Sequence, residues 1–263
     1  MRIIAIAGNT FRECIRDKIL YNLILFALLM ILSSFVLGQL TLGYEDKVII
    51  DLGLSSISVF GTLIAIFIGI GLVYKELERR TVYALLAKPV RRWEFILGKY
   101  LGLLFTLLVN VAVMTVGLCV ILCLHGNAPA RGYLQLFPAV YLIFLSLALI
   151  TAVALLFSSF STPALAALFT LFFWIIGHFN ADLRQFAVVT KSAAVELISG
   201  ILYYVLPNIS NFTAVDSRNV IQSAAYYEPI RVAALGWATV YAVLYSSMLL
   251  ALTAAIFSRR DFK

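Results

Sequence analysis

Six apolar runs organise the chain, at about residues 19–42, 52–74, 100–124, 134–157, 162–179 and 232–257, with polar or charged stretches between them. Most exceed the roughly 20 residues that carry a helix across a 30 Å hydrocarbon core; the fifth is marginal. Helices are required, because an open sheet would leave backbone N–H and C=O groups unpaired in lipid. The pattern predicts an all-α integral membrane protein, with six transmembrane helices in one domain over residues 1–263.

The intervening segments have patterns of their own. In residues 1–18, Ile4, Ala7, Phe11 and Ile15 recur at helical spacing while Arg2, Asn9, Arg12 and Arg16 fall largely on the other side. Such a segment is expected to lie in the membrane interface as an amino-terminal interfacial helix. A signal peptide is the competing reading, but the following apolar run is too long and no small-residue cleavage site closes it. Residues 180–231 form a connector too long for a plain loop. Within it, residues 193–206 are apolar around Glu196 and too short to cross, so this stretch is expected to dip into the outer leaflet or pack on the last two spans, ending at Pro207 and Asn208. Tyr203, Tyr204, Tyr226 and Tyr227 suit an interface belt. Gly98 and Gly102 form a G-x-x-x-G pair, and Gly61, Gly69 and Gly71 lie along the second run, where close helix packing is expected. Pro163 suits the first turn of the fifth helix, after a turn rich in serine.

Composition agrees with the pattern. Hydrophobic residues make up 63% of the chain and charged residues 13%, and the mean hydropathy is +1.01, values foreign to a water-soluble domain of this size. The net charge of +7 does not point to nucleic acid, since the basic residues sit beside apolar runs, where lipid headgroups account for them. Three cysteines, Cys14, Cys119 and Cys123, imply no disulfide framework.

Charge also sets orientation. Of the 20 Lys and Arg residues, four lie in the amino-terminal segment, seven in residues 75–99 and three at the tail, against six in the alternate segments. Basic residues in short loops stay on the cytoplasmic side. Both termini are therefore expected in the cytoplasm, with the chain in the cytoplasmic membrane, the inner membrane of a bacterium.

Residues 75–99 are a basic island with Lys75, Arg79, Arg80, Lys88, Arg91, Arg92 and Lys99 set against Glu76, Glu78 and Glu94. The island is too long for a simple turn. Residues 81–87 are apolar enough for a short helix capped by Thr81 and ended by Pro89, which reads as a docking element. The simpler alternative is that these charges only orient the chain.

Two absences narrow the function. The six runs contain no Asp, Glu, Lys or Arg, although ion-coupled carriers usually keep ionisable groups at membrane depth. Nor is there a G-x-x-x-x-G-K-[ST] loop to cradle a nucleotide phosphate, since Lys99 is followed by Tyr100 and position 93 is Trp. Uphill transport would need energy from another polypeptide.

The run from Tyr74 to Gly102, with Glu76, Glu78, Thr81, Leu85, Leu86, Pro89, Val90, Arg91, Gly98 and Lys99, resembles the loop between the second and third spans of ABC type 2 permeases. Arg80 stands where a glycine is usual. Among relatives, the permease of the nitrous oxide reductase maturation system is similar in length and layout. The resemblance implies a permease, itself not an enzyme, that forms a dimer, here expected as a homodimer. Its amino-terminal interfacial helix and its cytoplasmic coupling helix between spans two and three would sit on two ABC ATP-binding subunits, and external re-entrant helices would lie between spans five and six. It carries no cofactor of its own; ATP and magnesium would be bound by the partner.

On that footing, Tyr83, Leu85 and Leu86 are expected to supply buried contact with the ATPase, and Arg79, Arg80, Arg91 and Arg92 to pair with acids at its rim. Aromatic and hydroxyl groups such as Phe60, Thr62, Phe67, Thr106, Asn110 and Thr115 are expected to line a pathway for amphiphilic cargo. Cys119 and Cys123, four apart near Met114 and His125, have the softness for monovalent copper but sit among Val, Leu and Ile as ordinary small apolar residues do. The reading is an ATP-driven exporter. Its alternatives are a scaffold or sensor that docks an ATPase without passing cargo, and an ion-coupled secondary carrier; a membrane enzyme would need a cluster of His, Asp or Glu near a membrane face, which is missing.

Overall fold

The computed structural model describes residues 2–40, 45–78, 91–125, 130–178, 200, 207–209, 212 and 232–259. Among them are seven long helices and no strand: α1 (Arg2–Ile15), α2 (Lys18–Gln39), α3 (Glu45–Glu78), α4 (Arg92–His125), α5 (Ala130–Ser158), α6 (Pro163–His178) and α7 (Val232–Arg259). Five of these, α2, α3, α4, α5 and α7, are long and apolar enough to cross a membrane. At 16 residues, α6 is about 24 Å long by the rise per residue, short of the hydrocarbon thickness.

Glycines report the topology because they mark where helices touch. Gly53 of α3 lies against Leu118 of α4, and Gly69 lies against Leu103, so these two helices run antiparallel. Gly61 meets Leu147 and Gly69 meets Ala154, so α3 and α5 run parallel. Tyr141 of α5 and Thr239 of α7 share a hydrogen bond of 2.9 Å, and further along Leu155 and Ser159 share a cavity wall with Thr253 and Phe257. α5 and α7 are therefore parallel as well. Buried Ile, Leu and Ala side chains of α3, α4 and α5 fill the centre, while α2, α6 and α7 line the outside.

The amino-terminal helix does not stand apart from this bundle. Ile6 packs on Gly98, Thr10 on Gly102, Phe11 on Phe105, and Leu28 of α2 on Gly117. Thus α1 and α2 run nearly end to end along α4, which at 34 residues is about 51 Å long. The elbow between them is made by Asp17, whose carboxylate accepts from the Ile19 N–H at 3.0 Å and caps α2. The expected apolar stripe of α1 is only partly used: Thr10 and Cys14 are fully buried, and Ile4 is 76% exposed.

Two helices begin earlier than the hydropathy pattern predicts, and their starts correct the boundaries of the second and third runs. α3 opens at Glu45 and α4 at Arg92, not near residues 52 and 100. The start of α4 is fixed by half a capping box: Glu94 reaches back to accept from the Arg91 N–H at 3.1 Å. Consequently Asp51 and Lys99, which lie just outside the apolar runs, fall inside helices long enough to cross. The island is also shorter as a connector, since α3 takes its residues through Glu78 and α4 those from Arg92. Pro163 opens α6 as expected; the Ala166 N–H donates to the Thr162 carbonyl at 2.8 Å. The serine turn before it is held by bonds from the Ser159 and Ser161 N–H groups to Leu155 and Phe157.

Candidate functional site

Antiparallel pairing of α3 and α4 brings the two flanks of the basic island to the same end of the bundle. Glu76 and Glu78 belong to the last turn of α3, Arg92 is the first residue of α4, and Arg91 precedes it, exposed. Arg79, Arg80, Thr81, Tyr83, Leu85, Leu86 and Pro89, expected to dock the ATPase, lie outside the described residues, as does the short helix expected over residues 81–87. So do Arg260 onward at the other terminus and nearly all of residues 180–231.

Just inside that end is a junction the sequence reading did not single out. Lys99 lies one residue past Gly98, with its side chain 2% exposed, and its Nζ is 3.7 Å from a carboxylate oxygen of Glu13 on α1. The ammonium also stands 5.8 Å from the centre of the Phe95 ring, within the range of a cation–π contact. Phe95 stacks on Phe257 of α7 with ring centres 6.1 Å apart, and Ile96 packs on the same residue. A cavity of about 20 Å³ is walled by Phe95, Ile96, Lys99, Leu155, Ser159, Thr253 and Phe257. That is room for about one water, not for a transported solute.

On the α1 side of the junction, Cys14 is fully buried. Burial pushes its thiol up to about 11, although a hydrogen bond with Thr106 and the nearby Lys99 charge pull the other way. The thiol is therefore protonated and unreactive at neutral pH. A signal for this junction exists in the sequence: a lysine inside a G-x-x-x-G pair with apolar neighbours on both sides is placed against another backbone, not in a solvated loop.

The residues expected to line a pathway are divided by the structure. Thr62 and Asn110 are both buried, and the register set by Gly53 with Leu118 and Gly69 with Leu103 carries them to the same level of the α3–α4 seam. Among the described residues neither Thr62 Oγ1 nor Asn110 Nδ2 has a hydrogen-bond partner. Thr106 and Thr115 are buried too, but their hydroxyls donate to the carbonyls of Gly102 and Val111 one turn back. Phe60 packs at the edge of the core, whereas Phe67 is 47% exposed on the outer surface.

Of the residues weighed as soft ligands, Met114 is fully buried, Cys119 half-buried and Cys123 exposed. Among the described residues no three His, Cys, Asp or Glu side chains are grouped to hold a metal. His178 has its Nδ1 3.0 Å from the Trp174 carbonyl, a local helix contact.

At the opposite end of the bundle, a short piece of the 180–231 segment is wedged between α6 and α7. Ile209 packs on Gly177, where a Cβ would come within 2.7 Å. The Asn208 N–H donates to the Tyr241 hydroxyl at 2.9 Å, and Phe212 lies 6.0 Å from the Tyr241 ring.

Against known families, residues 4–262 match the model described as ABC-2 family transporter protein. No curated protein matches the chain.

Proposed function

Because the chain belongs to the ABC-2 transporter family, we propose that it is the permease subunit of an ATP-binding-cassette exporter, driven by ATP that a separate subunit binds with magnesium and hydrolyses. The observation that carries this reading is the convergence of α3 and α4 on the basic island: two central helices end at the one stretch rich in both charge and apolar anchors. In a chain without a nucleotide-binding loop, that stretch is where an ATPase would be held.

The finer parts of the proposal follow. Glu76, Glu78, Arg79, Arg80, Arg91 and Arg92 would frame the contact and set partner choice, while Tyr83, Leu85 and Leu86, in a short coupling helix capped by Thr81 and ended by Pro89, would anchor it. Displacement of that helix would be passed to α3 and α4 as nearly rigid bodies. The island and both termini would face the cytoplasm, with α1 at the interface of the cytoplasmic membrane. α6 would make the sixth crossing, its shortness taken up by local thinning of the bilayer. The outer end would be closed by re-entrant helices of the 180–231 segment. Two copies of the chain would sit on two ATP-binding subunits, and opening of the α3–α4 seam would expose Thr62 and Asn110, with Phe60 at its edge, to an amphiphilic cargo; Thr106, toward α1, and Phe67, on the outer surface, would meet it only outside that seam.

The test is co-expression with a candidate ATP-binding subunit, sought in the reading frames that neighbour the one for this chain. The two should co-purify, and the Leu85→Asp, Leu86→Asp double variant should lose the ATPase while still inserting in the membrane. Intact co-purification of that variant would remove the docking role.

A further inference from the structure

The contact between α1 and α4 has two parts that do different jobs. Gly98 and Gly102 make a bare groove: a Cβ on Gly102 would come within 2.7 Å of the Ala7 carbonyl oxygen and 2.6 Å of Thr10 Cβ, and one on Gly98 within 2.7 Å of Ile6. A groove of that kind lets backbones approach closely, yet it is smooth along its length and does little to fix how far one helix slides on the other. Register needs a contact fixed at one point along the groove. Lys99 lies between the two glycines in sequence and meets Glu13 from the facing helix at 3.7 Å.

Burying an ammonium is costly, and with Glu13 38% exposed its pairing yields little net stability; the best-attested use of such a pair is to set register. Here the pair sits where four helices meet. α4 touches α1 through Lys99 and the glycines, and touches α5 and α7 through Leu155, Ser159, Thr253 and Phe257 around the same lysine. Any movement of the base of α4 is thus felt at once by its neighbours. Whether α1 follows depends on what locks it to the groove.

We propose that Glu13 and Lys99 are positioning residues that lock α1 to the first turns of α4, so that the two helices shift as a single body when the base of α4 is displaced. The proposal rests on the reading of the chain as an ATP-driven permease for the source of that displacement; the lock itself belongs to the chain alone. It gives α1 a mechanical role: a movement entering at the foot of α4 is carried into α1 and, through the Asp17 elbow, to the foot of α2.

The experiment measures the distance between spin labels on Ile4 of α1 and Val116 of α4, both exposed (76% and 62%) and separated by about 30 Å along the helix axis. In nanodiscs the parent should give one narrow distance. Glu13→Gln and Lys99→Gln should broaden it, Lys99→Arg should keep it narrow, and the exchanged pair Glu13→Lys with Lys99→Glu should restore it. In the complex with the ATP-binding subunit, a non-hydrolysable ATP analogue should leave the parent distance unchanged but shift it by several ångströms in the Gln variants, a nucleotide dependence that a merely structural role would not produce. Single variants that behave as the parent, or an exchanged pair that stays broad, would overturn the lock. Should no nucleotide-bound complex form, the function proposed above is at fault, and the comparison of parent, single and exchanged chains in nanodiscs still decides the lock.

Discussion

α2 and α5 are both apolar helices long enough to cross a membrane, but 67% of the most apolar window of α5 is buried by the rest of the chain and only 22% of that of α2. α5 is enclosed because α3, α4, α6 and α7 all pack on it. On α2 the buried residues Leu20, Ala27, Ile31, Ser34 and Gly38 form one narrow stripe, and Tyr21, Leu25, Phe26, Leu29, Leu32 and Val36 face outward. Hydropathy places both helices in lipid; only packing separates a central element from a peripheral one. α3, α4 and α5 therefore form the centre of the bundle, with α2 at its margin.

The sharpest way to break this contrast is to truncate matched leucines. Leu147→Ala, at a fully buried site against Gly61, should cost about 2–5 kcal/mol through lost contacts and a residual cavity. Leu29→Ala, half exposed on α2, should stay within about 0.5 kcal/mol. Thermal unfolding in nanodiscs reads both; an equal loss at Leu29 would mean that something covers the outer face of α2.

A second substitution probes the wedge between α6 and α7. Gly177→Leu should force Ile209 and the Pro207 carbonyl away and cost about 1–3 kcal/mol, seen as faster protease cleavage near Pro207. Unchanged cleavage would mean that the wedge is not held by this contact.

Removing one oxygen should have a smaller effect. Tyr241→Phe takes away the acceptor of the Asn208 N–H, leaving a part-buried donor unsatisfied at about 1–3 kcal/mol, toward the lower figure where water can reach it. Hydrogen exchange at Asn208 should quicken, and exchange at the parent rate would show that the bond contributes nothing.

The smallest perturbation leaves the fold alone. With its thiol pushed up to about 11 by burial, Cys14 should resist maleimide at pH 7 while exposed Cys123 reacts. Its labelling should rise as pH approaches 11, because only the thiolate attacks. The same sign holds for stability, since the folded state keeps the proton more tightly and is weakened as pH climbs from about 9 toward 11. Equal labelling of both cysteines at pH 7 would place Cys14 at an open surface.

Much of this architecture was legible in the chain. The apolar runs mark the helices, because lipid demands internally bonded backbone, and Pro163 and the serine turn before it mark the α5–α6 junction by rules of local geometry. What hydropathy cannot register is a helix that continues past its apolar stretch: Glu45, Asp46 and Lys47 start α3 while remaining at its end, and Glu94 caps α4 among charges that a loop would also carry. Lys99 reads as one more charge of the basic island, because its burial depends on α1, some eighty residues away, closing over Gly98 and Gly102. Thr62 and Asn110 were identifiable as polar residues within apolar runs, but their common level comes from the α3–α4 register, and nothing in either segment read alone reveals that Phe67 faces outward.

The central claim is that the driving force enters from another polypeptide at the joined ends of α3 and α4. A fluorophore attached to Trp93→Cys, in a chain carrying Cys123→Ser, reports there, since Trp93 is the second residue of α4 and 46% exposed. ATP should change its emission when the ATP-binding subunit is present, and leave it unchanged in the chain alone and in the Leu85→Asp, Leu86→Asp variant. A response to ATP from the chain by itself, or no response with the subunit bound, would contradict the account.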